Sequence, residues 1–193
     1  MTILPKKFYQ RDTVIVAKNL LGKKLVRRVG NYEMSGIITE TEAYRHKDDP
    51  ASHAFKKITD RNSIMFGEVG IAYVYFTYGM HYCFNVVAKN DKISAGAVLI
   101  RGINPEKGIK RMQLNRGKNN LENLTNGPAK LTQALEITKD HYGIDLTKKS
   151  QIYIEEGIEN KKIKKSNRIG IKEGKEMLCI LKFRNYFSVF LSS

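Results

Sequence analysis

Apolar and polar residues alternate along this chain in short blocks that predict strands, interrupted by a few stretches with helical spacing. The run Val14 to Leu21, introduced by Asp12-Thr13 and stopped by Gly22, predicts a capped short helix. Strands are predicted over 24–29 and 33–44, joined by the turn residues Gly30-Asn31. In the second of these, alternation places Glu40, Glu42 and Tyr44 on one face and Thr41 and Ala43 on the other. The polar stretch 45–63, with Pro50, predicts a long loop. A hairpin follows over Tyr73–Asn85, with Gly79 in its turn and Tyr78 near the tip. After turn residues at 89–92, an apolar strand is predicted over 95–101. Pro105 predicts a helix reaching about Leu114, and the Asn-rich run 115–126 predicts a mobile connection. Gly127-Pro128 predicts a second helix through Leu135, with proline early in the helix, where it costs least. The last third predicts a short strand over 151–155, basic turns over 157–175 and closing strands within 178–189. Antiparallel hairpins among scattered helices make this a mixed α and β fold and argue against a doubly wound nucleotide-binding sheet. No repeat or linker divides the chain, and one domain over 1–193 is expected.

Composition adds a charge to this picture. The 193 residues include 34 Lys and Arg against 19 Asp and Glu, a formal charge of +15. Such an excess attracts polyanions, of which nucleic acid is the usual one for a soluble chain. An AT-biased genome also enriches Lys, Ile and Asn, so charge alone leaves both origins open. No apolar run approaches the roughly 20 residues of a membrane helix, and Met1–Pro5 shows no signal pattern, which predicts a soluble cytoplasmic protein with no membrane partner. Cys83 and Cys179 lie far apart in apolar runs and read as buried reduced thiols.

Two features suggest chemistry. The hairpin holds four of the ten tyrosines and one of the four histidines. In a basic protein such rings suit contact with stacked bases, although the same pattern suits a hairpin packed into a core. Glu40 and Glu42 on one strand face are costly unless solvated, paired, or used for acid–base work. A carboxylate facing a phosphate backbone repels it, so activation of a water is a reason to keep one there. A solvated face balanced by the many cations is the competing account. His53, in the polar loop, reads by itself as a surface or packing histidine. Lys130 and Arg101 read by default as phosphate contacts or salt bridges. No H-x-x-x-H, C-x-x-C or H-E-x-x-H spacing occurs, so neither a metal nor another cofactor is predicted.

Taken in order, these segments resemble the alkyladenine (3-methyladenine) DNA glycosylase family. The resemblance rests on Leu20-Leu21-Gly22, Glu40-Thr41-Glu42-Ala43-Tyr44, Ser52-His53, Arg61-Asn62 with Met65-Phe66, Tyr73-Val74-Tyr75 to Tyr78-Gly79-Met80, and Asn85-Val86-Val87. It continues through Val98 to Arg101, Asn104-Pro105, Asn126 to Thr132 and Arg168 to Ile171, over about residues 7–190. The resemblance implies a curved antiparallel sheet with surrounding helices and a protruding hairpin that enters DNA. It implies that Glu42 deprotonates the attacking water and that Arg101 helps hold that water and Glu42 near the sugar. Tyr44, His53 and Tyr75 would sandwich a flipped base, Asn85 would crowd the 2-amino group of guanine, and Tyr78 would fill the gap left in the helix. The partner implied is duplex DNA carrying damaged purines, met by a monomer that leaves an abasic site. A bacterial source would place it with the nucleoid, a eukaryotic one in the nucleus. The rival account is a basic nucleic-acid-binding protein without catalysis, in which Glu42 is an ordinary strand residue.

Overall fold

The computed structural model describes residues 2–47, 49–159, 163–166 and 182–185. Among them, eight strands form one curled antiparallel sheet: β1 (Lys24–Val29), β2 (Tyr32–Arg45), β3 (Ala72–Thr77), β4 (His81–Val87), β5 (Gly96–Lys107), β6 (Ile152–Glu155), β7 (Ile163–Ser166) and β8 (Lys182–Asn185). Six of them run in the order β3-β4-β5-β2-β1-β6. β2 is the spine. Its first half pairs with β1, its Glu40–Glu42 stretch pairs with β8, and its other edge pairs with β5.

Four helices accompany the sheet: α1 (Lys6–Tyr9), α2 (Thr13–Leu20), α3 (Ile109–Arg116) and α4 (Pro128–Ala134). Asp12 caps α2, its carboxylate accepting from the amides of Val14 and Ile15. The two faces of the sheet have separate tasks. Ala43, Val74, Phe84, Val86, Val98 and Ile100 face the main core, where α2 and α4 bring Val16, Ala17, Leu20, Leu131 and Ala134. Thr41, fully buried on this side, donates to the Ala17 carbonyl at 2.8 Å. The alternate residues Tyr73, Val87 and Ala97 look the other way and join Ala54 and Met65 in a smaller cluster, against which Tyr44 and Tyr75 pack.

Three expectations need correcting. Pro105 lies inside β5 opposite Gly36, and the helix begins only after Gly108. β4 covers β5 only over residues 97–99, so among the described strands the far half of β5 pairs with β2 alone, and a proline is tolerated on such a strand. The Asn-rich run is ordered: Leu124 is fully buried, Thr125 donates to the Ile103 carbonyl at 2.7 Å, and Asn120 caps a short 3-10 turn over Leu121–Asn123. Within the predicted basic turns, Ile163–Ser166 forms β7. Of the closing strands, Lys182–Asn185 is seen as β8, while Cys179 and Arg168 to Ile171 fall outside the described residues.

Candidate active site

Strand register assembles the site. Tyr73 on β3, Asn85 on β4, Leu99 on β5 and Glu42 on β2 are direct cross-strand neighbours, one row across four strands. In the next row Tyr44 faces Ala97, whose small side chain leaves room beside the ring. Where β2 and β5 meet near Glu40 the register shifts. Glu40 pairs with Gly102 and Thr41 with Ile100, so Arg101 is the extra residue of a β-bulge. A bulge re-aims a side chain that regular pleating would direct elsewhere.

Arg101 stands between two carboxyl groups. Its Nε donates to Glu40 Oε1 at 2.7 Å and its Nη1 to Glu42 Oε2 at 3.3 Å. The Tyr44 hydroxyl donates to the same Glu42 oxygen at 2.9 Å. Glu42 is fully buried, and charge-assisted bonds from both sides fix its rotation and compensate its lost hydration. Burial pulls the Arg101 pKa down, but the charge of Glu42 and the hydrogen bond to Glu40 outweigh it and hold the guanidinium above its usual range. Arg101 therefore stays a cation. Glu40 and Glu42 thus share one guanidinium beside the Tyr44 wall of the cavity.

That cavity, about 100 Å³, has aromatic walls made by Tyr44, His53, Tyr73 and Tyr75. Asn85, Ala97, Met65 and Ala51 complete it. The His53 and Tyr75 rings meet edge to face at 4.7 Å, Tyr73 and Tyr75 lie 5.2 Å apart, and His53 Nδ1 shares a 3.0 Å hydrogen bond with the Tyr73 hydroxyl. Burial raises the Tyr73 phenol to about 12, against the opposing pull of Arg61, so it keeps its proton. Packing on its inner side, and then the Arg61 charge, holds the His53 pKa below the usual histidine range, although its outer side is exposed. Burial likewise raises the pKa of the free thiol of Cys83, the cross-strand neighbour of Tyr75. Asn85 is itself anchored, its amide donating to the Tyr73 carbonyl at 3.0 Å.

His53 reaches the wall from a loop, and Asn62 makes that possible. The buried Asn62 amide donates to the carbonyls of His53 at 2.7 Å and Lys57 at 2.9 Å, while its oxygen accepts from the Thr59 amide at 2.7 Å. Asp49 closes the loop's beginning by accepting from the amides of Arg45 and Ala51. The hairpin tip differs from all of this. Tyr78 is 88% exposed, and both it and Gly79 have positive φ, 51° and 67°. Two successive positive φ values match the type I′ turn that suits strand twist, at a cost in strain for a tyrosine. Met80 and Phe76 are exposed beside it.

The structure thus brings together Glu42, Arg101, Tyr44, His53, Tyr75 and Asn85, and leaves Tyr78 outside the cavity. Lys130, one of the two cations read as a default phosphate contact, hydrogen-bonds the side-chain oxygens of Asn123 and Asn126. Three residues take parts in the site that the sequence reading did not give them. Tyr73 lines the cavity directly, which its shared strand face with Tyr75 signals. Glu40 is the tighter partner of Arg101, which only the bulge reveals. Arg61 lies over the Tyr75 ring, 4.7 Å from its centroid, and no pattern in the sequence announces that contact.

A carboxyl group held by a guanidinium and tied to the wall of an aromatic slot through Tyr44 defines a site for a planar group linked to a reacting centre. The chain also has relatives of assigned activity. The family model for methylpurine-DNA glycosylase matches residues 7–188. A Carboxydothermus hydrogenoformans protein assigned as a 3-methyladenine DNA glycosylase is 49% identical over 177 residues, covering 91% of this chain and 92% of the relative. Proteins of the same assignment from Francisella tularensis and Clostridium acetobutylicum are 47% identical over 169 residues and 45% over 183, covering 86% and 90% of this chain and 86% and 88% of themselves. The chain belongs to the methylpurine-DNA glycosylase family, and so to the hydrolases that act on N-glycosyl bonds. Its substrate is accordingly DNA, and the reading without catalysis is set aside.

Proposed function

We propose that the chain, acting as one monomeric cytoplasmic domain on nucleoid DNA, excises alkylated or deaminated purines from duplex DNA by base flipping. The observation that carries this reading is the buried Glu42, held by Arg101 and Tyr44 beside an aromatic cavity. A base inside a duplex is out of reach, so it must be extruded at a cost of a few kcal/mol. Tyr78, exposed at the tip of the hairpin, would enter the gap and replace part of the lost stacking. The extruded base would lie between Tyr44, His53 and Tyr75, each stacking contact contributing roughly 1–3 kcal/mol. Asn85 would meet its edge and disfavour an exocyclic amine at the guanine 2 position.

Glu42 would then take a proton from a water whose oxygen bonds to C1′ of the sugar. The electron pair of the C1′–N bond leaves with the purine. The sugar acquires oxocarbenium character, and the nearby Glu42 would stabilise it. Arg101 positions Glu42, and no amine nucleophile is invoked, so the strand should stay intact. An excision assay tests this on duplexes carrying 3-methyladenine, 7-methylguanine, hypoxanthine or ethenoadenine. Free purine with an unbroken abasic strand is the expected product. Strand cleavage without added base would exclude the monofunctional mechanism, and no release from any of the four would exclude the activity.

A further inference from the structure

Charged side chains flank the site in two places. At one of them two carboxyl groups share the Arg101 guanidinium. At the other, Arg61 reaches out of the His53 loop, lies over the Tyr75 ring and donates from Nη2 to the Phe76 carbonyl at 3.3 Å. Arg61 does not line the cavity. It belongs to an adjoining groove that also includes His53 and Lys57, whereas Tyr75 lines the cavity itself. A cation therefore stands one aromatic ring away from the space assigned above to the base.

We propose that Arg61 is a specificity-determining residue that biases excision toward neutral lesions and against cationic ones. The proposal rests on the base-pocket reading of the preceding section. Breaking the glycosidic bond sends its electron pair into the base. A 7-methylguanine base arrives with a positive charge and leaves neutral. A hypoxanthine base arrives neutral and gains electron density as the bond breaks. On arrival the two differ by one unit of charge at the same place. A fixed cation beside Tyr75 thus favours the neutral lesion in binding, and as electron density builds on its base. The contact works a second way. A ring whose quadrupole already attracts one guanidinium offers less attraction to a cationic base stacked on it.

Arg61 is exposed in the free protein, so solvent screens part of its field. The expected effect is therefore modest, about fivefold rather than orders of magnitude. Single-turnover efficiencies are measured on two duplexes that differ only in the lesion, hypoxanthine or 7-methylguanine, for wild type, Arg61→Met, Arg61→Gln and Arg61→Lys. In Arg61→Met and Arg61→Gln the ratio of hypoxanthine to 7-methylguanine efficiency should fall about fivefold. In Arg61→Lys, which keeps the charge and loses the planar stack, it should stay within about twofold of wild type. Should Arg61→Met misfold, the Gln variant carries the comparison, and thermal melts of both separate folding from selectivity. Equal losses on both lesions, leaving the ratio unchanged, would overturn the proposal and make Arg61 a backbone or phosphate contact. Wild-type protein that releases 7-methylguanine but no hypoxanthine would overturn it as well. Wild-type protein that releases neither fails the base-pocket reading itself, and so is distinguishable from failure of the Arg61 proposal.

Discussion

Glu42 and Tyr78 sit on the same sheet and differ in nearly every physical respect. Glu42 is fully buried on the longest strand, bonded to Tyr44 and Arg101, with Glu40 completing the cluster around the guanidinium. Tyr78 stands 88% exposed in the three-residue connection between β3 and β4, in a backbone conformation that a tyrosine adopts at some cost. The difference separates what must be ready before the substrate arrives from what acts only once it has arrived. A water-activating carboxylate needs its orientation preset, because reorganising it during the reaction would add to the barrier. A wedge needs to be accessible, because its partner is a gap that exists only in the complex. On this account the site's burial supports chemistry and the tip's strain supports insertion.

The contrast can be broken most severely at Arg101. Arg101→Ala removes the cation between Glu40 and Glu42, and breaking a buried ion pair costs about 3–5 kcal/mol. The midpoint of thermal unfolding should fall by roughly 10 °C or more, with excision lost in the same variant. A melt within about 2 °C of wild type would show that the cluster is solvated rather than buried. Tyr78→Ala should do the reverse. Its stability should stay within about 0.5 kcal/mol of wild type. Its single-turnover efficiency on duplex substrate should drop about ten- to a hundredfold, as expected for one lost stacking contact. On single-stranded DNA carrying the same lesion, where no gap forms, that loss should shrink to about threefold. An equal loss on both substrates would mean that the tip does not act as a wedge.

The smallest effect concerns the loop-borne wall. The pKa values of His53 and His141 are both held below the ordinary histidine value of about 6.5, chiefly by packing. The unfolded chain therefore binds protons that the folded chain refuses. Stability is full above about pH 6.5 and declines as pH falls from there through the depressed folded values. His53→Asn should remove part of that decline and leave the rest to His141, as read by melts between pH 7 and pH 5. An identical decline in the variant would mean that His53 titrates as a solvated group.

How much of this was legible in sequence follows from which interactions are periodic. The strands at 24–29 and 33–44 came out within two residues of β1 and β2, since both supply apolar residues to the main core. The same alternation placed Glu40, Glu42 and Tyr44 on one face, and Gly79 located the tip. Pro105 misled because its effect depends on whether a strand has a neighbour on one side or on both, which is a property of the sheet. Arg101 could be proposed beside Glu42 only by resemblance. Its geometry arises from a bulge in the pairing of residues some sixty positions apart. The wall built on His53 was the least legible. Its position depends on Asn62 bonding two carbonyls, contacts with no period to betray them. Arg61 over Tyr75 belongs to the same class.

The central claim is that a preset Glu42 performs the hydrolysis while the aromatic cavity and the tip perform recognition. Glu42→Gln tests it most directly, since the amide keeps the shape and the Tyr44 contact but cannot take a proton. Paired measurements on one lesion-bearing duplex are needed: the dissociation constant and the single-turnover rate of base release. The account predicts binding within about threefold of wild type and release slower by at least about a hundredfold. Release at the wild-type rate would contradict it.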